Sequence, residues 1–363
     1  MKTLNIMDLQ FNYKAVLRGY ESAVLTRAWA GIGSLDLVVS AGITNAELIQ
    51  IDDLLWFDNE YHKAFIVEKV ELQLAGNEVK YHIVATSINT LIRDFITIPP
   101  ALSAYDVRTG TREAVVRAWV DANCISPADS ARAQYPIMLG ASQSLGETIT
   151  DQTRYGNLAE EITRVLQAED LGWRLELDIP GSRFVFKVLK GVNRTAGQTI
   201  NGRVLFGLKY GNMAGFRSVE DTTAAKTVVY AGGQGEGEAR QIVKLDGSGP
   251  GRKKEAFVDA RDADTPDKLN ERAAQAVAEG APINSFEFEV LDRQFRYGQE
   301  YDLGDYVTVV MDRASTIDMQ IQGVTETYDK GSIQVVPEFG KPERTLGGVI
   351  GSVIKRVSKL ETV

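Results

Sequence analysis

The sequence predicts an α+β, β-rich protein. Two small β-barrel-like modules, residues 1–100 and 221–340, flank a mixed helix-and-hairpin middle, 101–220, and a short helix, 341–363, follows. Three observations carry this prediction. Apolar residues alternate with period two in the first ninety residues and again beyond residue 280. A helical stripe followed by a tight hairpin lies between these regions. The 33 glycines in 363 residues supply the turns that a protein of many short strands needs. That length suits two to three compact units.

In the first module, Lys14 to Gly19, Ser22 to Trp29 and Leu35 to Val39 read as strands, with a breaker at Gly31-Ile32-Gly33-Ser34. Ile66 to Leu74 places Val70, Leu72 and Leu74 on one face, and Gly76-Asn77 turns the chain into Val79 to Ala85, a β-hairpin. In the middle, Thr111 caps a helix running through Asn123, with Glu113 near its positive end and Val115, Trp119 and Ala122 on one stripe. Ser126 to Gln143 is a polar surface excursion. Asn157 and Glu160 have the spacing of a capping box before the stripe Leu158, Ile162, Val165 and Leu166, which Gly172 ends. Trp173 to Leu177, Pro180-Gly181 and Phe184 to Val188 then form a hairpin.

The second module opens with a strand, Lys226 to Tyr230, entering Gly232-Gly233-Gln234-Gly235-Glu236-Gly237-Glu238. Asp246 to Gly251 is a turn. Thr265 caps a helix, 265–279, with Pro266 at its first position, Leu269, Ala273 and Val277 inward, and Gly280 and Pro282 past its end. Phe286 to Val290, Leu303 to Val309 and Met319 to Thr327 complete the strands. Ile51-Asp52-Asp53-Leu54-Leu55 before Ile66 to Val70 is echoed by Leu303-Gly304-Asp305-Tyr306-Val307 before Ile321 to Glu326. Either chance or two related β modules accounts for the echo.

Composition narrows the function. Forty basic and 49 acidic residues give a net charge of −9, which argues against nucleic acid as the main partner. A 44% hydrophobic chain with 25% charged residues is not intrinsically disordered. One cysteine, Cys124, excludes an intrachain disulfide framework, and two histidines, His62 and His82, leave little for zinc or acid/base work. No stretch reaches the roughly 20 apolar residues of a membrane span, and Lys2, Asp8, Lys14 and Arg18 interrupt the first 18 residues, so neither a membrane segment nor a signal peptide is expected.

No constellation of catalytic, cofactor-binding or metal-binding residues emerges. Gly232 to Gly237 fits G-x-G-x-x-G in no frame, and Glu236 and Glu238 would repel phosphate, so it reads as a turn or subunit-contact loop. Asp52-Asp53 and Glu160-Glu161 are read as solvated surface, because sequence neighbours on a strand point to different faces and Glu160-Glu161 sits where a helix N-terminus favours negative charge. Asp259, Asp262 and Asp264 lack the remainder of a calcium loop. Gly140-Ala141-Ser142-Gln143-Ser144 lacks the glycine that closes a nucleophile elbow. Cys124, after an apolar stripe, is read as a buried filler, and His82 as a strand-surface residue.

Leu346, Ile350, Val353, Val357 and Leu360 are spaced 4, 3, 4 and 3, as in a coiled-coil seam; a lone amphipathic helix fits the same spacing. β-Branched residues at one seam position with mainly leucine at the other lean towards two strands.

The segment Val228 to Arg240, with Gly232-Gly233-Gln234-Gly235-Glu236-Gly237 at its centre, resembles the signature of the ReqiPepy-type siphovirus tail family. The order of β module, helix, helix–hairpin and β module is similar to tail-tip hub proteins, relatives of the baseplate hub of contractile tails. The resemblance implies a structural, non-enzymatic virion protein without cofactors, assembled in the host bacterial cytoplasm. It implies a homotrimer closing the distal end of the tail tube beside the distal tail protein, the tape-measure protein and other tail-tip proteins. The seam residues would then lie near the three-fold axis. A tail-associated cell-wall hydrolase and a carbohydrate-binding tail module are the rival readings. The first needs a carboxylate or cysteine site in a cleft. The second needs exposed aromatics, whereas Trp29, Trp56, Trp119 and Trp173 fall inside elements.

Overall fold

A computed structural model describes residues 2–340 except 76–77, 250, 262, 264, 281–282, 292–293, 311–315 and 330–331. The expected helix 341–363 and the seam positions Leu346, Ile350, Val353, Val357 and Leu360 therefore lie outside the described residues.

The first seven strands are β1 (Leu4–Met7), β2 (Tyr13–Leu17), β3 (Ser22–Ala28), β4 (Ser34–Ser40), β5 (Leu54–Phe57), β6 (Phe65–Ala75) and β7 (Glu78–Ser87), and burial alternates cleanly along β3 and β4. Ala23 and Leu25 of β3 and Leu35, Leu37 and Val39 of β4 point inward to one core with Leu4, Ile6, Phe57, Phe65 and Ile83.

The middle comprises α1 (Thr90–Arg93), β8 (Asp106–Thr111), α2 (Arg112–Val120), β9 (Ile137–Leu139), β10 (Thr148–Thr153), α3 (Leu158–Gln167), β11 (Gly172–Asp178) and β12 (Arg183–Leu189). Thr111 caps α2 through the Ala114 N–H, 3.2 Å. The α-helical part is shorter than expected and passes at Asp121–Ile125 into a π-helical turn. Asn157 caps α3 by accepting from the Ala159 and Glu160 N–H groups. The apolar stripe of α3 packs with Trp119 against Trp173, Leu175, Phe184 and Phe186 of the β11–β12 hairpin.

The remaining strands are β13 (Leu205–Gly207), β14 (Met213–Asp221), β15 (Val228–Gly232), β16 (Ile242–Asp246), β17 (Glu255–Asp259), β18 (Ile283–Val290), β19 (Tyr306–Val310), β20 (Thr316–Asp329) and β21 (Ser332–Gly340), with α4 (Pro266–Glu279) before β18. Thr265 caps α4 and Pro266 opens it, as the sequence predicts.

The principal sheet runs β14–β18–β21–β20–β3–β4–β7–β6–β5–β1–β2, with β19 joining β20 and β13 joining β19. Strands from both ends of the chain thus share it, through the antiparallel β20–β3 pair. The fold is β-rich, as expected, but no sheet closes into a barrel among the described residues. Two compact units result, one of Met1–Phe216 with Glu287–Phe339 and one centred on Arg217–Phe286. In the second, α4 covers the sheet β16–β15–β17 through Leu269 and Ala273 against Val229 and Ala231.

Candidate functional site

The glycine-rich segment is the link between β15 and β16. Gly232 and Gly233 are buried, whereas Gln234, Gly235, Glu236 and Gly237 are exposed. Arg240 clamps the base of the link: its guanidinium donates to the Gly232 carbonyl at 2.9 Å and the Gly233 carbonyl at 3.1 Å. The same group pairs with Asp259 and lies over the Phe257 ring, 5.4 Å from its centre. Gly235 has φ +98°, and a Cβ there would stand 2.5 Å from the Ala239 carbonyl oxygen, so the turn requires glycine. The Glu236 and Glu238 carboxylates share the exposed tip. This is a rigid base with an acidic tip, and a poor phosphate cradle.

The acidic echo becomes two turns with the same hydrogen bonds. In the first, the Asp53 N–H donates to the Gln50 carbonyl (3.2 Å), and the Gln50 N–H returns to Asp53 Oδ2 (2.8 Å). In the second, the Asp305 N–H donates to the Asp302 carbonyl (3.1 Å), and the Asp302 N–H returns to Asp305 Oδ2 (3.0 Å). The residue before each aspartate is left-handed: Asp52 at φ 67° and Gly304 at φ 90°. Each turn is stitched to the next long strand by two bonds. The Asp52 and Gly304 N–H groups donate to the Val67 and Ile321 carbonyls, and the Val67 and Ile321 N–H groups donate to the Asp53 and Asp305 carbonyls.

Each aspartate is buried and holds one cation. Lys14 Nζ lies 2.7 Å from Asp53 Oδ1, and Arg194 Nε lies 2.7 Å from Asp305 Oδ2. Asp53 is only 2% exposed. This corrects the reading of Asp52-Asp53 as solvated surface: Asp52 is exposed, but Asp53 is a fixed internal anchor.

The correspondence continues beyond the turns. β6 carries an irregularity between Val67 and Lys69, and β20 carries one between Ile321 and Gly323. β6 then ends at Ala75 with β7 starting at Glu78, while β20 ends at Asp329 with β21 starting at Ser332. All four pairs of positions are 254 residues apart. Two hairpins with one bulge position and one distance from bulge to turn therefore follow two turns of one design.

Cys124 is buried, and burial pushes its thiol up to about 12. His62 is held down at about 4, first by burial and then by the charges of Arg27, Arg174 and Lys63. Glu113, expected only to complement a helix terminus, is buried and accepts from the Gln143 and Leu145 N–H groups. Among the described residues no cluster of three or more His, Cys, Asp or Glu is disposed to hold a metal, and no helix is long and apolar enough to cross a membrane. Trp29, Trp56, Trp119 and Trp173 are all buried.

The chain is β-rich and carries two turns of one hydrogen-bond pattern. The chain belongs to the Siphovirus ReqiPepy6 Gp37-like protein family, whose model matches residues 3–341. Its fold is similar to the 43 kDa tail protein of prophage MuSo2 from Shewanella oneidensis, at TM-score 0.56 and 12% identity over 93% of this chain and 98% of that one. It is also similar to a tail protein from Neisseria meningitidis, TM-score 0.54 and 14% identity over 94% and 96% of the two chains. A prophage tail protein from Listeria monocytogenes matches at TM-score 0.52 and 14% identity over 99% and 100%. No curated protein matches the chain. Membership of this family makes the protein a bacteriophage tail component.

Proposed function

We propose that the chain is a tail-tip hub, a homotrimer that closes the distal end of the tail tube and links it to the adsorption apparatus. In this reading it contacts the distal tail protein and the tape-measure protein and carries no enzymatic activity or cofactor. The observation that carries the reading is the repeat of turn, bulge and hairpin, with the turns 252 residues apart and the bulges and hairpin ends 254 apart. It supports two related β modules per chain, the second interrupted by the unit Arg217–Phe286. Three chains would then offer six like positions to a six-fold tube, with the two modules barrel-like once flanked by neighbours. The seam Leu346, Ile350, Val353, Val357 and Leu360 would lie near the axis, and the acidic tip of the Gly232–Gly237 loop would be a contact for neighbouring tail proteins.

Imaging of assembled tails tests the reading. Three copies at the distal tip are expected; two, six or twelve copies, or a location along the tube, would overturn it. Incubation of the purified protein with peptidoglycan should release no fragments. Lysis abolished by a single carboxylate substitution would favour the hydrolase instead.

A further inference from the structure

The two matched hairpins meet different surroundings. Beyond its bulge, β20 is paired on both edges, with β21 and with β3 from Gly323↔Ala28 to Asp329↔Ser22. β6 pairs with β5 only at Phe65 and Ile66, before the bulge. Past the bulge, β7 is its only strand partner among the described residues.

Exposure follows the pairing. Leu72 and Leu74 are 61% and 70% exposed, whereas Glu326 and Tyr328, 254 residues further on, are 3% and 4% exposed. The register Leu72↔Tyr81 and Leu74↔Val79 puts these apolar side chains on one face of the hairpin. That face continues into the core through Val70 and Tyr81. A bare strand edge beside an apolar face is a template for another strand.

The strand that fits this edge can be named. In the sheet, β14–β18–β21–β20 repeats the order β3–β4–β7–β6, so β14 stands where β3 stands in the first module. β14 is the terminal strand and has no partner on its outer side among the described residues. Six strands separate it from β6 in the sheet order, and the two are not paired within one chain among the described residues.

We infer that the free edge of β6 pairs antiparallel with β14 of a second copy, repeating between chains the β20–β3 joint found within the chain. The joint is head to tail: each copy gives one edge and receives the other. Closure of the resulting ring at three copies rests on the hub reading; the joint itself does not.

The test uses full-length chain assembled into tails, with p-benzoylphenylalanine replacing Leu72. Irradiation should give covalent multimers of this chain alone, with the cross-linked peptide containing residues 213–221. A ladder ending at three supports both the joint and the trimer. The correct peptide in a ladder ending at two or running past three keeps the joint and overturns the trimer. Cross-links to another protein, to another surface of the second copy, or none at all, overturn the joint. In parallel, Leu72→Glu/Leu74→Glu should retain the wild-type circular dichroism while incorporation into tails falls at least about tenfold, a loss of ~1.4 kcal/mol in association. Wild-type incorporation of this variant would also overturn the joint.

Discussion

Lys63→Met should be among the most damaging single changes in the first unit. Lys63 is 6% exposed, and its ammonium lies 2.8 Å from Glu326 Oε1 and 2.9 Å from Glu60 Oε1. The Oε1 contact lies off the hydrogen-bond direction; Oε2 takes the directed bonds, from Lys63 at 3.1 Å and from the Tyr328 hydroxyl at 2.6 Å. Removing one partner of a buried pair strands the other charge and costs ~3–5 kcal/mol. Tyr328 still donates to Glu326, so the lower bound applies, about 3 kcal/mol. That is roughly two powers of ten in the unfolding equilibrium, and on the order of 5 °C in Tm for a unit of this size. Glu326→Leu alone leaves Lys63 with Glu60 and should cost less.

The double variant Lys63→Met/Glu326→Leu removes both charges and should recover most of the loss, because an apolar replacement escapes the desolvation penalty. Urea unfolding at pH 7 of the wild type, both single variants and the double variant gives the coupling energy directly. A coupling below ~0.5 kcal/mol, within ordinary additivity, would refute this account of the pair.

Two further outcomes follow from buried titratable groups. With its thiol at about 12, Cys124 should react with an aromatic disulfide at pH 8 only as fast as the protein opens; rapid stoichiometric labelling of the native protein would contradict its burial. His62 titrates near 6.5 unfolded and about 4 folded, so the unfolded chain binds the extra proton between those values and stability falls as pH drops through that window. The loss is up to about 3 kcal/mol, complete below pH 4 and absent above pH 7. His62→Asn should flatten this window in urea titrations, and an unchanged slope would show that another group is responsible.

Local patterns were legible where one element explains itself. Alternation located β3, β4, the β6–β7 hairpin and the β11–β12 hairpin, and cap spacing located α3 and α4. What failed to show were contacts between distant segments. Glu113 looks like a helix-terminus charge, but its partners are main-chain groups about 30 residues away in a connecting loop. Asp53 looks solvated beside Asp52, yet the left-handed turn at Asp52 directs it inward to Lys14. Which sheet a strand joins is also not written in its alternation: β15, β16 and β17 form a separate sheet under α4. In the glycine-rich loop the turn was legible and the Arg240 clamp was not, since the cation bonds carbonyls seven and eight positions earlier.

The likeness of the two hairpins creates a problem of choice that the Lys63–Glu326 pair addresses. If β6 of a second copy competed with β20 for the edge of β3, Leu72 would stand where Glu326 stands. Lys63 would then lose its buried counter-charge, at the ~3–5 kcal/mol of a broken buried pair. Glu60 remains 2.9 Å away at 26% exposure and offsets part of this, which leaves a preference of roughly tenfold to a hundredfold for the chain's own hairpin. The joint within the chain is thus keyed by charge, while the joint between chains is apolar at Leu72 and Leu74. Lys63→Met/Glu326→Leu erases the key with little expected loss of stability. Light scattering on that variant should show a broadened, concentration-dependent distribution of species where the wild type gives one. An unchanged distribution would mean that the ion pair holds the fold together without selecting which hairpin docks on β3.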